Sequence, residues 1–214
     1  MKTIFLIPPS EWKDPNWKYI KEKLSFNLLK PLEIAKNATE KDLKCKWQRF
    51  EEAINLNKNI NNSQTIEAIR RYSWVMYNSI NYEKMSKDWK EFFEDNFYIL
   101  SWMYWILKAL DKIWNYKLPI ETKWLYDYWW DEVPESILEI KPDYIINLLP
   151  LSYQKLIWLW TNCKRHKKKL ELLLNNNIKI VNINFINTKN WKKISHGVKK
   201  IKWEWIRHIC ENNI

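Results

Sequence analysis

Leu100-Ser101-Trp102-Met103-Tyr104-Trp105-Ile106-Leu107-Lys108-Ala109-Leu110-Asp111, running on to Leu125-Tyr126-Asp127-Tyr128-Trp129-Trp130, is the stretch on whose reading the fold turns. Trp102 and Trp105 bracket a two-residue step. Before it lies an apolar, strand-like run, Phe97 to Leu100; after it, a short run expected to be helical, Ile106 to Leu110. A chain usually makes such a turn on glycine, and a tight turn has no room for two indoles.

The composition generalises the oddity. An average chain of this length carries about 15 glycines, roughly 7%, whereas this one has 1 Gly and 16 Trp. The chain is rich in Lys, Asn and Ile, whose codons are A/T-rich, so a surplus of the tryptophan codon UGG is not expected. UGA codons, by contrast, would be plentiful. We read most of the tryptophans as UGA codons translated as Trp, in an organism whose ribosomes read UGA as glycine.

Local chemistry agrees. Asn190-Trp191 lies between two alternating runs, Ile178 to Ile186 and Lys192 to Ser195, where Asn-Gly would be the strongest hairpin signal. Asn16-Trp17 reads the same way. Overpacking costs about 1–3 kcal/mol per site and a left-handed backbone roughly 1–2 more. A dozen such sites would exceed the roughly 5–15 kcal/mol by which a domain is stable.

The chain of 214 residues is long enough for one substantial core, and nothing in it marks a linker, so a single domain over residues 1–214 is expected. A formal net charge of +11 favours a polyanionic partner, most simply nucleic acid. Three widely spaced cysteines, Cys45, Cys163 and Cys210, argue for a reducing cytosol and against a disulfide framework or zinc ribbon. The longest apolar run, Phe97 to Leu107, is about half the ~20 residues of a membrane span. The expectation is a cytoplasmic, monomeric protein that does not enter a membrane and carries no cofactor.

Thr3 to Ile7 reads as a buried strand left by the loop Pro8-Pro9-Ser10-Glu11-Trp12-Lys13. With glycine at 12, this loop offers a serine, a carboxylate and a lysine at a strand's carboxyl end, where α/β proteins place ligands. Thr39 to Asn57 is expected to be one helix, opened by a capping box at Thr39 and Asp42. Further helices are expected at Gln64 to Arg71 and Tyr82 to Asp95, with Arg71 to Tyr77 extended between them. Lys123 to Ile140 reads as helix broken near Pro134, and Asp143 to Leu149 as a second buried strand. A basic cluster, Lys164 to Lys169, leads into a helix at Leu170 to Leu174. A strand at Ile178 to Ile186 and a last helix at Val198 to Cys210 close the chain. Strands interleaved with helices indicate a mixed α/β (α+β) domain with a central sheet and helices around it.

The last helix groups Lys199, Lys200, Lys202 and Arg207 beside an apolar face, so one side can pack and the other meet phosphates. His166, His196 and His208 show no metal-ligand spacing, so no metal is expected. Ser10 and Lys13 could act as nucleophile and base, without an identifiable third partner.

With tryptophan read as glycine, several pieces resemble the YaaA family of bacterial peroxide-stress-resistance proteins. Pro8-Pro9-Ser10-Glu11-Trp12-Lys13 resembles its P-P-S-E-G-K loop, and Leu43-Lys44-Cys45-Lys46-Trp47 its L-K-G-K-R segment. Arg71-Tyr72-Ser73-Trp74-Val75-Met76-Tyr77 is similar to R-Y-x-G-V-x-Y, and Leu100 to Leu107 to L-S-G-L-Y-G-V-L. Asn115-Tyr116-Lys117-Leu118 matches x-Y-R-L with lysine for arginine. Leu125 to Trp130 is similar to L-Y-x-F-W-G, with Trp129 a genuine tryptophan. Lys199 to Arg207 resembles K-K-A-R-G-x-M-x-R. Trp12, Trp74, Trp102, Trp105, Trp130 and Trp203 all fall on family glycines.

The resemblance implies a compact domain with a basic cleft that binds DNA, double-stranded or branched, and limits peroxide damage by lowering available intracellular iron. It also implies that Leu100 to Leu110 acts as a helix-hairpin-helix-like element. Lys13, Lys108, Lys117, Lys199, Lys200, Lys202 and Arg207 would then hold backbone phosphates, with Trp102 and Trp105 standing where hairpin glycines belong. A rival reading is an enzyme acting on a nucleotide or nucleic acid, built on Ser10, Glu11, Lys13, Tyr77 and Arg207 converging in an enclosed pocket. A third is a tryptophan-rich platform on which single strands stack.

Overall fold

A computed structural model describes residues 1–15, 28–119, 122, 125–129, 132–154, 164–183, 185–189, 194 and 198–212. Of these, 126–127, 132–134, 151, 164–169, 198–199, 210 and 212 are described by their backbone alone.

The first strand, β1 (Thr3–Ile7), has Ile4, Phe5, Leu6 and Ile7 all buried. A continuous apolar run covered on both faces marks a central strand. The helices α1 (Leu29–Lys36), α2 (Glu40–Leu43) and α3 (Gln48–Lys58) follow, packed around a small core of Ala38, Leu43 and Ala53. Next come β2 (Ile66–Glu67), α4 (Ala68–Arg71), α5 (Val75–Ile80) and α6 (Lys87–Asn96). Two further strands, β3 (Phe97–Ser101) and β4 (Trp105–Leu107), are followed by β5 (Lys112–Ile113). The rest comprises α7 (Leu125–Tyr128), α8 (Glu132–Ile140), β6 (Tyr144–Asn147), α9 (Leu151–Gln154), α10 (Lys164–Asn175), β7 (Lys179–Asn182) and α11 (Val198–Asn212).

The main sheet has the order β4-β3-β1-β6-β7, parallel except for β4, which pairs antiparallel with β3 at the edge. A second, two-stranded sheet pairs β2 with β5. Since β3 and β6 lie on opposite sides of β1, right-handed crossovers send α6 to one face of the sheet and α8 and α10 to the other. The packing agrees: α11 lies against α5 and α6, whereas α10 lies against α8. On the α6 face Phe93 and Phe5 stack on either side of Phe97, with ring centroids 4.3 and 4.5 Å away. The fold is therefore a doubly wound α/β sheet, and its topological switch lies at the carboxyl ends of β1 and β6.

The capping box at Thr39 forms as expected: the hydroxyl accepts from the Asp42 amide, and the Thr39 amide donates to the Asp42 carboxylate. The helix it opens does not run on to Asn57. It stops at Leu43, because Lys44 adopts φ 52° and Trp47 adopts φ 53°, ψ −134°, before α3 begins. Similarly, only Ala68–Arg71 of the expected helix from Gln64 is helical. The piece expected to be extended, Arg71 to Tyr77, is extended at Tyr72 and helical from Val75.

The largest correction concerns Leu100 to Leu110. It contains no helix: β3 and β4 form a β-hairpin, with Ser101 opposite Trp105 and a three-residue loop at 102–104. The break before Pro134 is present, with Pro134 in the first turn of α8, where its missing N–H costs no bond. Asn16-Trp17 and Asn190-Trp191 lie outside the described residues, although Ile194 donates to the Phe185 carbonyl at 2.9 Å.

Candidate functional site

The loop leaving β1 turns back along the segment after α4. Lys13 bridges to Tyr72, the Asp14 amide donates to the Arg71 carbonyl at 2.8 Å, and the Ser73 amide to the Trp12 carbonyl at 3.0 Å. These bonds hold Ser10, Glu11 and Lys13 over the carboxyl ends of the strands. Together with Pro9, Trp102, Tyr116, Lys117, Leu118, Pro119 and Tyr153 they line a partly open cavity of about 10 Å³, room for scarcely one water.

Lys13 is the chemically unusual group. Its ammonium donates to the carbonyls of Ser10 and Glu11 at 3.3 and 3.5 Å and stands over the Tyr116 ring, 4.0 Å from its centroid. Burial, then the charge of Lys117, lowers its pKa from 10.5 to about 7; Arg71 adds to this and Glu11 opposes it. Lys117 reaches Glu11 at 3.4 Å.

Lys117 is held from behind by buried Asn57, whose side chain accepts from the Lys117 amide at 2.9 Å and donates to the Lys117 and Ala35 carbonyls. Below, Tyr116 lies 2.8 Å from the Tyr72 hydroxyl and 2.9 Å from Ser101 Oγ. Ser101 Oγ already accepts from the amides of Met103 and Tyr104, so its own proton goes to Tyr116. Burial pushes the Tyr116 hydroxyl up to about 12.

Of the residues named from sequence, Ser10, Glu11, Lys13, Lys117 and Trp102 meet here. Tyr77 is close by: its hydroxyl donates to the Pro8 carbonyl at 3.0 Å without lining the cavity. Arg207 lies on the exposed face of α11 beside Glu211, and Lys200 beside Glu204. Lys202 reaches the Leu148 carbonyl at 3.2 Å, at the end of β6. Lys108 donates to the carbonyls of Glu94 and Asp95, where a cation complements the carboxyl end of α6. The side chain of Lys199 is outside the described residues.

A second basic feature was not singled out from the sequence as a binding surface. The loop from α2 into α3 places exposed Lys41, Lys44, Lys46 and Arg49 around an open depression of about 1090 Å³, which Glu40 and Trp47 also line. The run Lys44-Cys45-Lys46 before a helix start was the available signal. Among the described residues no His, Cys, Asp and Glu cluster could hold a metal ion, and no helix is long and apolar enough to cross a membrane.

Comparison with known proteins decides the relationship. Residues 3–214 match the family profile described as "Peroxide stress protein YaaA". The chain belongs to the YaaA peroxide-stress family. It is 27% identical over 196 residues to a UPF0246 protein of Lactobacillus helveticus, covering 85% of this chain and 72% of that one. It is 29% identical over 167 residues to a UPF0246 protein of Rickettsia rickettsii, and 30% over 155 residues to one of Finegoldia magna. These alignments cover 73% and 69% of this chain. The chain spans 62% of the length of both those relatives.

The backbone of this YaaA-family chain carries its own record of the tryptophans. Seven non-glycine residues among those described have positive φ, and three are tryptophans. Trp74 adopts φ 87°, ψ −178° and Trp47 φ 53°, ψ −134°, regions occupied almost only by glycine. Trp105, at φ 70°, ends the β3–β4 loop where a three-residue hairpin needs a left-handed residue, usually glycine. The indole nitrogen of buried Trp105 has no hydrogen-bond partner among the described residues. Trp12, Trp47 and Trp74 are exposed, whereas Trp102 and Trp203 are buried. Trp129 differs from these: it is buried and its indole N–H donates to the Trp102 carbonyl at 2.7 Å.

Proposed function

We propose that this YaaA-family chain binds DNA through its backbone phosphates, without reading base sequence, and serves the peroxide-stress response by lowering available intracellular iron. What carries this reading is the cluster of exposed Lys41, Lys44, Lys46 and Arg49 at the loop from α2 into α3, where they outnumber the single carboxylate lining the same depression, Glu40, on a chain of formal net charge +11. Exposed cations around a concave surface hold phosphates and leave base edges unread. Lys13, Lys117, Lys199, Lys200, Lys202 and Arg207 are further phosphate contacts in this proposal, while Lys108 steadies the end of α6. The β3–β4 hairpin takes the place of the helix-hairpin-helix.

The reading includes glycine at most of the tryptophan positions, supported by the backbone at 47, 74 and 105. Its test is the affinity of glycine-restored protein for a short duplex at two salt concentrations. The logarithmic salt slope is expected to approach about 0.9 per neutralised phosphate. An affinity that hardly changes with salt would rule phosphate-driven binding out.

A second reading, an enzyme acting on a nucleotide or nucleic acid, is favoured by one observation. Ser10, Glu11, Lys13 and Lys117 converge on a small, partly open cavity beside a strongly shifted amine, a combination found at functional sites.

A further inference from the structure

Trp102 fills the pocket at the strand ends. Its indole is 3% exposed and lines the cavity beside Pro9, Lys13, Tyr116, Lys117 and Tyr153. Replacing an indole by hydrogen would vacate a flat, two-ring volume under these side chains. The walls left behind are two prolines, a leucine and two tyrosines, with Ser10, Glu11, Lys13 and Lys117 as the polar lining. Mostly apolar and aromatic walls with a few convergent polar groups are the usual make-up of a small-ligand site.

We propose that this pocket holds a single nucleotide unit, its base in the volume that Trp102 now fills and its phosphate between Lys13, Lys117 and the Ser10 hydroxyl. The proposal deepens the enzyme reading above and rests on glycine at position 102. The phosphate displaces Glu11 from Lys117, which costs little because the pair is 3.4 Å apart and the Glu11 side chain is 63% exposed. Binding a dianion beside Lys13 also draws a proton onto that amine, so affinity declines as pH rises above about 7.

The unit has two possible sources, a free nucleotide or an unpaired nucleotide swung out of a DNA strand. The test uses protein with glycine at positions 12, 47, 74, 102, 105, 130 and 203, titrated with adenosine monophosphate, with a duplex carrying one unpaired adenine, and with the same duplex fully paired. A second protein keeps Trp102 and is otherwise identical, a third carries Trp102→Ala, and a fourth adds Lys13→Met to the first.

Binding of the monophosphate or the unpaired adenine is expected to fall at least tenfold in the Trp102-retaining and Lys13→Met proteins and to survive in the alanine one. Whichever ligand binds names the source. Equal affinity with indole or glycine at 102, in proteins that melt cooperatively, overturns the proposal. So does failure of the glycine protein to fold. The fully paired duplex reports on the DNA reading separately: if it alone binds, only the nucleotide site falls.

Discussion

The ammonium of Lys13 sits 4.0 Å from the centroid of the Tyr116 ring, and so ties the loop after β1 to the buried hydroxyls of Tyr116, Tyr72 and Ser101 beneath it. An ordinary lysine on an aromatic face gains about 0.5–2 kcal/mol. Here burial and the charges of Lys117 and Arg71 oppose protonation, which makes the contact pH-dependent.

A lysine whose pKa falls from 10.5 to about 7 on folding binds fewer protons in the folded than in the unfolded chain. It therefore opposes folding most below pH 7, and the opposition fades as pH rises from about 7 towards 10.5. Lys13→Met is expected to be more stable than the parent at pH 6. The difference should shrink above pH 7 by up to about 1.4 kcal/mol per pH unit. Urea unfolding at a series of pH values measures it, and a difference independent of pH would refute the shifted lysine.

Asn57 is the hidden brace of the site. Asn57→Leu leaves the Lys117 amide and the carbonyls of Ala35 and Lys117 without this partner, at an expected cost of about 2–4 kcal/mol. Because Lys117 loses its support, ligand affinity at the pocket should drop in the variant even where it remains folded. Unfolding curves and ligand titration separate the two effects.

How much of this was legible in the sequence follows from which signals are local. The strand Thr3–Ile7, the Thr39 capping box, the strand before Pro150 and helix α11 are written in neighbouring residues. Ser10, Glu11 and Lys13 could be placed at a strand end because a buried run meets two prolines there. Asn57 and Tyr153 could not, since only tertiary packing brings them to the pocket.

Apart from the helix expected from Gln64, the misread elements lie next to tryptophans. The helix expected from Thr39 stops at Leu43 and resumes only after Trp47, α5 starts after Trp74, and the supposed helix after Trp105 is a strand. A short apolar run such as Ile106 to Leu110 cannot by itself be assigned to helix or strand, and the turn residue that would have decided it is printed as Trp.

Trp129 should behave oppositely to the other tryptophans. It is buried and its indole N–H bonds the backbone carbonyl of residue 102, so Trp129→Ala is expected to cost about 3–5 kcal/mol. Trp74→Gly, in contrast, relieves backbone strain worth roughly 1–3 kcal/mol and should stabilise the chain. Denaturant midpoints of the two variants give the comparison. A stabilised Trp129→Ala or a destabilised Trp74→Gly would reverse the assignment.

The central claim is that bare backbone stands where indoles are printed at 47, 74 and 105. Mass spectrometry of peptides spanning these positions, taken from the protein as its own cells make it, tests this most directly. Glycine masses at all three are predicted; tryptophan masses there would contradict the account.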